Sequence, residues 1–474
     1  MKHSAQDAEV TEVGEGGLWQ EEEPSNFEWR SAKGIALLIG AIVVIFALIL
    51  LVVYLVRANA DDEPDPVAVT VPVALSDVAP PDDSSIGVVV TTGSGTAEGS
   101  QWHQAAQGAV VAQQRLELGG HEVELVTETD SGSAEGSAEA VQALVDQGVS
   151  GIVYASSGEH LAEGVSVAED AGVPVVLPYE TVPEGATNVW SLAPEAEASA
   201  STLAATVAEF ERPLHIDAGG ELPGDVAVSD AVRFSSDTDA DEFAETMALR
   251  TGADPFANGA YTGGGEDEQS AAPTVENPAD AVVVSGSAAM QAQVVFALQT
   301  GNVSVPIVLT PQAVSPSFDQ TLLELGGTVS SNLRTVGSTW DDGTALGTSG
   351  QSRAMSAFLT ANRQFAEGES VMNLSGDAPF AESAAVTDVR SHDAVLALTE
   401  ALSAAGSRDS AEVIEAMDEL QLAAGDGIAG PSLDFSQAHA LTAEPTVLHA
   451  SSQQLGLRPT SGEYTDALVW INQP

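Results

Sequence analysis

With 474 residues, 44% of them hydrophobic, the chain is long enough to bury two or three domain cores. It has no cysteine, which excludes a disulfide framework, a thiolate metal site, a cysteine nucleophile and a lipid carried on an N-terminal cysteine. Seventy acidic side chains against fourteen basic ones give a formal charge of −56, a field that repels phosphate backbones and excludes nucleic acid as an expected partner. The ordinary reading of such a surface is solvation; a sink for cationic ligands is the functional alternative.

Residues 1–33 are polar and acidic, with Trp19, Phe27 and Trp29 among glutamates, and read as a disordered cytoplasmic tail. Gly34 to Val56 is a 23-residue run without a charge. At ~1.5 Å per residue it is long enough to cross a hydrocarbon core of about 30 Å as one transmembrane helix, 34–56. Arg30 and Lys33 precede it and an acidic stretch from Asp61 follows, which favours the N-terminus inside and the bulk outside, at the cell membrane. Ala58-Asn59-Ala60 has the small-x-small form of a cleavage site, so a cleaved secretory signal stays open, although the apolar run exceeds the ~7–15 residues of a signal core. Both readings export the large domain. Residues 57–84, rich in proline and acids, read as an extended stalk.

From Ile86 the pattern becomes regular. Ile86–Val90 is a buried-strand run ending in a glycine-rich turn, and a predicted helix from Gln101 to Leu118 stops at Gly119-Gly120. A strand over 121–130, a helix over 134–147, a strand at 151–154, a helix over 161–171 and a strand at 173–177 follow. Strand and helix alternate at short spacing, with β-branched runs uninterrupted by polar residues, which predicts an α/β fold with parallel sheets covered by helices. A second series has helices over 200–210, 239–250 and 289–300, with strands at 213–217, 280–285 and 305–310. The stretch 262–279 reads as an acidic surface loop. Helices return over 353–365, 392–405 and 409–420, before short strands within 430–470.

In an open parallel sheet, ligands sit beyond the carboxyl ends of the strands. Those ends carry Thr91-Thr92, Ser156-Ser157, Tyr179-Glu180-Thr181, Ser285-Gly286-Ser287 and Thr310-Pro311-Gln312. Hydroxyls and backbone amides near helix N-termini suit a carboxylate or other small polar group; ordinary helix capping is the plainer reading of each one alone. Catalytic patterns are missing. Gly93, Gly95 and Gly99 do not have dinucleotide spacing, and neither a phosphate loop nor a nucleophile elbow is present. Asp237, Asp239 and Asp241 open like a calcium loop, but Glu242 stands at the turn glycine and Ala248 at the bidentate acid. The eight histidines show no paired ligand spacing. No enzyme, cofactor or metal is expected.

Taken in order, IGVVVTTGSG, ELVTETD, VQALVDQGVSGIVYASSG, AEDAGVPVVLPYETVPEGAT, DAVVVSGSAAMQAQVVFALQTG, SHDAVLALTEALSAAGSRDSAEVIEAM and GPSLDF resemble the type I periplasmic-binding-protein fold. The resemblance is to the leucine/isoleucine/valine-binding family of ABC-transporter substrate-binding proteins. It implies two lobes that close on a ligand like a hinge: 85–200 and 341–430 as lobe 1, 201–340 as lobe 2, and 431–474 as strands returning to lobe 2. It further implies an amino-acid-like ligand, an ABC permease as partner, and first-lobe ligand contacts from Ser156, Ser157, Tyr179, Glu180 and Thr181, to which the strand-end reading adds Thr92, Ser287 and Gln312 as candidate ligand-binding residues. A single-pass sensor or envelope-interaction module on the same fold, with altered or lost ligand, is the alternative. Glu180 stands where the family usually has a small residue. Gln312 stands where an acid often meets the ligand ammonium, and LHIDAGGELPGD departs from the usual opening of the second lobe.

Overall fold

The computed structural model describes residues 72–93, 97–253, 276–329, 332–338, 340–368, 370–452, 455–459 and 468–472. The expected tail, membrane span and most of the stalk, together with most of the 262–279 loop, lie outside the described residues. Among those described, no helix is long and apolar enough to cross a membrane. The chain divides into two compact units, 1–70 and 71–474, and the second holds all that follows.

Alternation along single strands explains the first sheet. In β1 (Ser84–Val90), Val88 and Val90 enter one apolar cluster while Val89 enters another on the opposite face. Around it lie β2 (Val123–Thr129), β3 (Ile152–Ala155), β4 (Val175–Leu177) and β5 (Val189–Ser191), in the order β2-β1-β3-β4-β5, all parallel. One face is covered by α1 (Gly108–Gly119) and α9 (Val389–Ala405), the other by α2 (Ala134–Gln147) and α3 (Leu161–Ala171). The ends of α2 show why this segment is helical. The Ser133 hydroxyl accepts from the Gly136 N–H, and Gly148, at φ 75°, closes the last turn in the left-handed conformation that glycine adopts without penalty.

The second sheet runs β14-β13-β10-β9-β8-β6-β7. Its strands are β6 (Pro213–Ala218), β7 (Asp230–Arg233), β8 (Ala281–Gly286), β9 (Ile307–Leu309), β10 (Leu333–Gly337), β13 (Thr446–Ser451) and β14 (Val469–Asn472). The first five are parallel, and β13 and β14 add an antiparallel edge. Val282 and Val284 face α5 (Ala240–Thr251), α6 (Ala288–Thr300) and α7 (Pro316–Glu324), whereas Val283 faces α4 (Ala196–Val207). The segment LHIDA, where the usual pattern is hard to see, is β6, one strand in from the edge of the sheet, between β8 and the edge strand β7. After β10 the chain returns to the first lobe through α8 (Gly350–Ala366), α9 and α10 (Ser410–Asp418), with a small hairpin of β11 (Gln421–Leu422) and β12 (Leu433–Asp434).

Residues 72–83 lie on the first lobe rather than standing free of it. Leu75 and Val78 are buried in its core, and the Leu75 N–H donates to the Arg115 carbonyl at 2.9 Å. Buried Arg115 reaches back with Nε to the Val73 carbonyl (2.8 Å) and with Nη1 to His392 Nε2 (2.8 Å). Because a guanidinium only donates, Nε2 accepts and the Nδ1–H of His392 donates to Asp393 (2.7 Å). Burial holds this imidazole below its ordinary pKa despite the carboxylate, so it is neutral. Burial likewise lowers Arg115 to about 10, with Asp393 opposing it. Asp393 also accepts from the N–H groups of Ala429 and Gly430, so one chain of polar contacts ties the entry segment, α1, α9 and the 427–430 loop together.

Candidate functional site

The carboxyl ends of the two sheets face one another: α7, which follows β9 in the second lobe, packs against the 3-10 turn Ser100–Trp102 that follows β1 in the first. On the first-lobe side that turn delivers a buried indole. Trp102 stacks on Tyr179 with ring centroids 4.3 Å apart and planes 4° apart. Its Nε1–H donates to the Ser157 hydroxyl (3.0 Å), which also receives the Gln101 amide (2.8 Å).

Tyr179 follows β4, and its hydroxyl donates to Asp388 (2.9 Å). Asp388 is the N-cap of α9 and accepts from the N–H groups of Arg390 and Ser391 as well as from the Arg390 guanidinium (2.8 Å). The guanidinium carbon lies 4.6 Å from the Trp102 ring centre and 4.7 Å from that of Tyr179, a cation–π arrangement on both rings. Burial first, and then the Asp388 charge, push the Tyr179 phenol well above its ordinary pKa. It stays a donor.

Glu180 turns its carboxylate inward. One oxygen accepts from the Gly158 N–H (2.9 Å), the other from the N–H and hydroxyl of Thr181 (2.9 and 3.2 Å). Ser156 pairs with Thr91 (2.6 Å). Behind them Asp130 receives the hydroxyl of Tyr154 (3.1 Å) and lies 2.9 Å from His160 Nε2, while His160 Nδ1 is 3.3 Å from Glu98. Burial alone would raise Asp130, but bonds from His160, the Gly132 N–H and Thr91 hold it below the ordinary carboxylate range. Burial opposes the charged form of His160, and Asp130 and Glu98 outweigh it, raising the imidazole.

Of the eight residues singled out from the sequence, Ser156, Ser157, Tyr179, Glu180 and Thr181 come together on this rim. Thr92 instead pairs with Thr129 at the end of β2 (2.7 Å). In the second lobe Ser287 caps α6, accepting from the Met290 N–H (3.4 Å), and Gln312 is exposed on the 3-10 turn Pro311–Val314. Asp239 caps α5 through the N–H groups of Asp241 and Glu242, which accounts for that acidic run. Among the described residues no cluster of potential metal ligands occurs.

A cavity of about 160 Å³ lies between the lobes. It is lined by Gln104 from the first lobe, Pro316, Asp319 and Gln320 from α7, the segment 385–388, and Arg458. Arg458 makes a two-pronged bond to Asp342 (2.7 and 2.9 Å) and donates to the Thr387 carbonyl. Among the described residues Asp319 Oδ1 is buried without a hydrogen-bond partner, and desolvation raises the carboxyl to about 6, against a smaller pull from the Leu468 N–H. Sequence reasoning missed Trp102, Asp319, Asp388, Arg390 and Arg458. Only Asp388 had a local signal, an acid at the start of a helix.

A family model described as Periplasmic binding protein matches residues 85–453. No curated protein matches the chain. Solved structures with the same fold include a leucine binding protein LivK from Thermotoga maritima, at 17% identity and a TM-score of 0.53, covering 82% of this chain and 98% of that one. Another is the branched-chain amino acid transporter substrate binding protein LivJ from Streptococcus pneumoniae in complex with isoleucine, at 17% identity and a TM-score of 0.53, covering 82% and 99%. A third is an ABC transporter substrate-binding protein from Desulfitobacterium hafniense in complex with Leu, at 14% identity and a TM-score of 0.52, covering 82% and 100%.

Proposed function

The chain belongs to the periplasmic binding protein family, and from that premise we propose that it is an extracytoplasmic receptor that captures a small polar ligand between its two lobes and delivers it to an ABC permease. The observation that carries this reading is the cavity of about 160 Å³, walled by residues of both lobes at the carboxyl ends of their sheets. It is small for a ligand pocket, holding about five water volumes, and so suits a molecule no larger than an amino acid. The leucine and isoleucine complexes of proteins with this fold support the same size class. The 23-residue apolar run at 34–56 is the membrane anchor in this reading, and it leaves the binding unit outside the cell.

The test is thermal unfolding of the full-length protein against a panel of amino acids, short amides and polyamines. A ligand present at a hundred times its dissociation constant adds about 2.7 kcal/mol and raises Tm by several degrees. A panel that leaves Tm unmoved throughout would count against the receptor reading.

A further inference from the structure

The rim of the first lobe already holds an anion, and the anion is its own. Donors from two separate strand ends, the Gly158 N–H after β3 and the N–H and hydroxyl of Thr181 after β4, converge on the Glu180 carboxylate. Backbone amides ahead of a helix, joined by a hydroxyl, form the kind of set that binds a ligand carboxylate. The next amide along, Glu159 N–H, donates to Glu98 (3.1 Å). The Gly158 and Glu159 N–H groups ahead of α3 are therefore both taken up by side chains of this chain.

Charges around the interlobe cavity tilt the same way. Asp388 is matched by Arg390, and Arg458 by Asp342. Asp319 lines the cavity without a cationic partner among the described residues, and its Oδ1 has no donor. A ligand carboxylate entering the cavity would meet the unmatched Asp319 carboxylate, and the rim donors outside the cavity lining are already held by Glu180. An ammonium group would supply the missing counter-charge.

Resting on the receptor reading above, we propose that the ligand is a small cationic amine without a free carboxylate, Asp319 being the counter-charge for the ammonium in the cavity and Glu180 occupying the rim donors that a carboxylate would need. Free α-amino acids, which carry both groups, are then poor ligands, while their amides and small di-amines are good ones. The net charge of −56 raises the local concentration of such cations.

Leucine and leucinamide differ at that one group and separate the two cases. In thermal unfolding and titration calorimetry on the full-length protein, leucinamide or putrescine is expected to raise Tm by several degrees, with leucine at equal concentration giving no shift. Asp319→Asn is expected to weaken amine binding at least tenfold. Glu180→Ala leaves three donors unpaired, so its Tm should fall and be restored by millimolar acetate. Glu180→Gln, which still fills the space, should not respond to acetate. Leucine stabilising the unmodified protein as well as leucinamide does would overturn the inference while leaving the receptor reading standing. Acetate failing to restore Glu180→Ala would overturn it whatever the panel of ligands shows. Should that variant not fold, the leucine–leucinamide contrast decides alone.

Discussion

Asp319, in the cavity between the lobes, and Glu180, on the first-lobe rim, are both carboxylates, and their environments part them. Glu180 is surrounded by donors; Asp319 is desolvated and has a bare oxygen. The folded-state pKa of Asp319, about 6, lies above its unfolded value of 3.8. Ionisation therefore opposes folding: the penalty is absent below the unfolded pKa, grows as pH rises through the interval, and is complete above the folded pKa. Asp319→Asn should consequently stabilise the ligand-free protein by about 1–3 kcal/mol at pH 7.5 and have little effect near pH 3.5. Chemical unfolding at the two pH values checks this, and equal effects at both would refute the assignment. In the same region Asp388, Arg390, Arg458 and Asp342 are paired with one another, so Asp319 is the group expected to carry the dependence. From the sequence Glu180 was visible as an acid in an unusual place. That its carboxylate folds back onto Gly158, 22 positions away in the chain, was not, because no local rule brings those two strand ends together.

Between elements, the contact that sets the floor of the site is α1 against α9. A Cβ built on Gly108 would stand 2.0 Å from the Asp388 carbonyl and 2.5 Å from the Ser391 hydroxyl, so only glycine allows the two helix starts to approach this closely. Gly108→Ala is expected to cost about 1–3 kcal/mol, or more if the backbone cannot move, by overpacking. It should also displace Asp388 and with it Tyr179 and Arg390. A lowered Tm together with altered tryptophan fluorescence from Trp102 would bear this out; an unchanged Tm would not. The periodic helices over 134–147 and 161–171, and the strands with β-branched runs, were legible because their signal is local. The helix expected from Gln101 begins instead at Gly108, preceded by two 3-10 turns, since Trp102 is drawn off the helical path to stack on Tyr179. Strands β5, β7 and β10 and helix α7 carry no such local signal. They are only three to nine residues long, and β7 is an exposed edge strand with little alternation to read.

For the whole molecule the dominant quantity is charge. Seventy acidic residues and fourteen basic ones repel one another more strongly in the compact state than in the unfolded chain. Salt shortens the screening length from about 30 Å at 0.01 M to about 3 Å at 1 M. Tm should therefore climb as sodium chloride is raised over that range, and a flat or falling response would show that self-repulsion does not limit stability. The local ion pairs do not compensate: those of Arg212, Arg233 and Arg250 are exposed, and such pairs contribute at most about 1 kcal/mol each.

The amino-acid sequence by itself determined the α/β character, the two successive strand–helix series and the family resemblance, since each rests on periodicity and residue type over short spans. It also determined the charge and the apolar run at 34–56. Tertiary structure alone decided which rim donors are free. Hydroxyls and amides that read as an anion site are closed off by Glu180, an aromatic pair fills the floor, and the unmatched charge belongs to Asp319 on a helix that sequence periodicity did not reveal. The physical reason is that a binding site is defined by donors left unpaired, and pairing across loops far apart in the chain is settled only when the sheets bring their ends together.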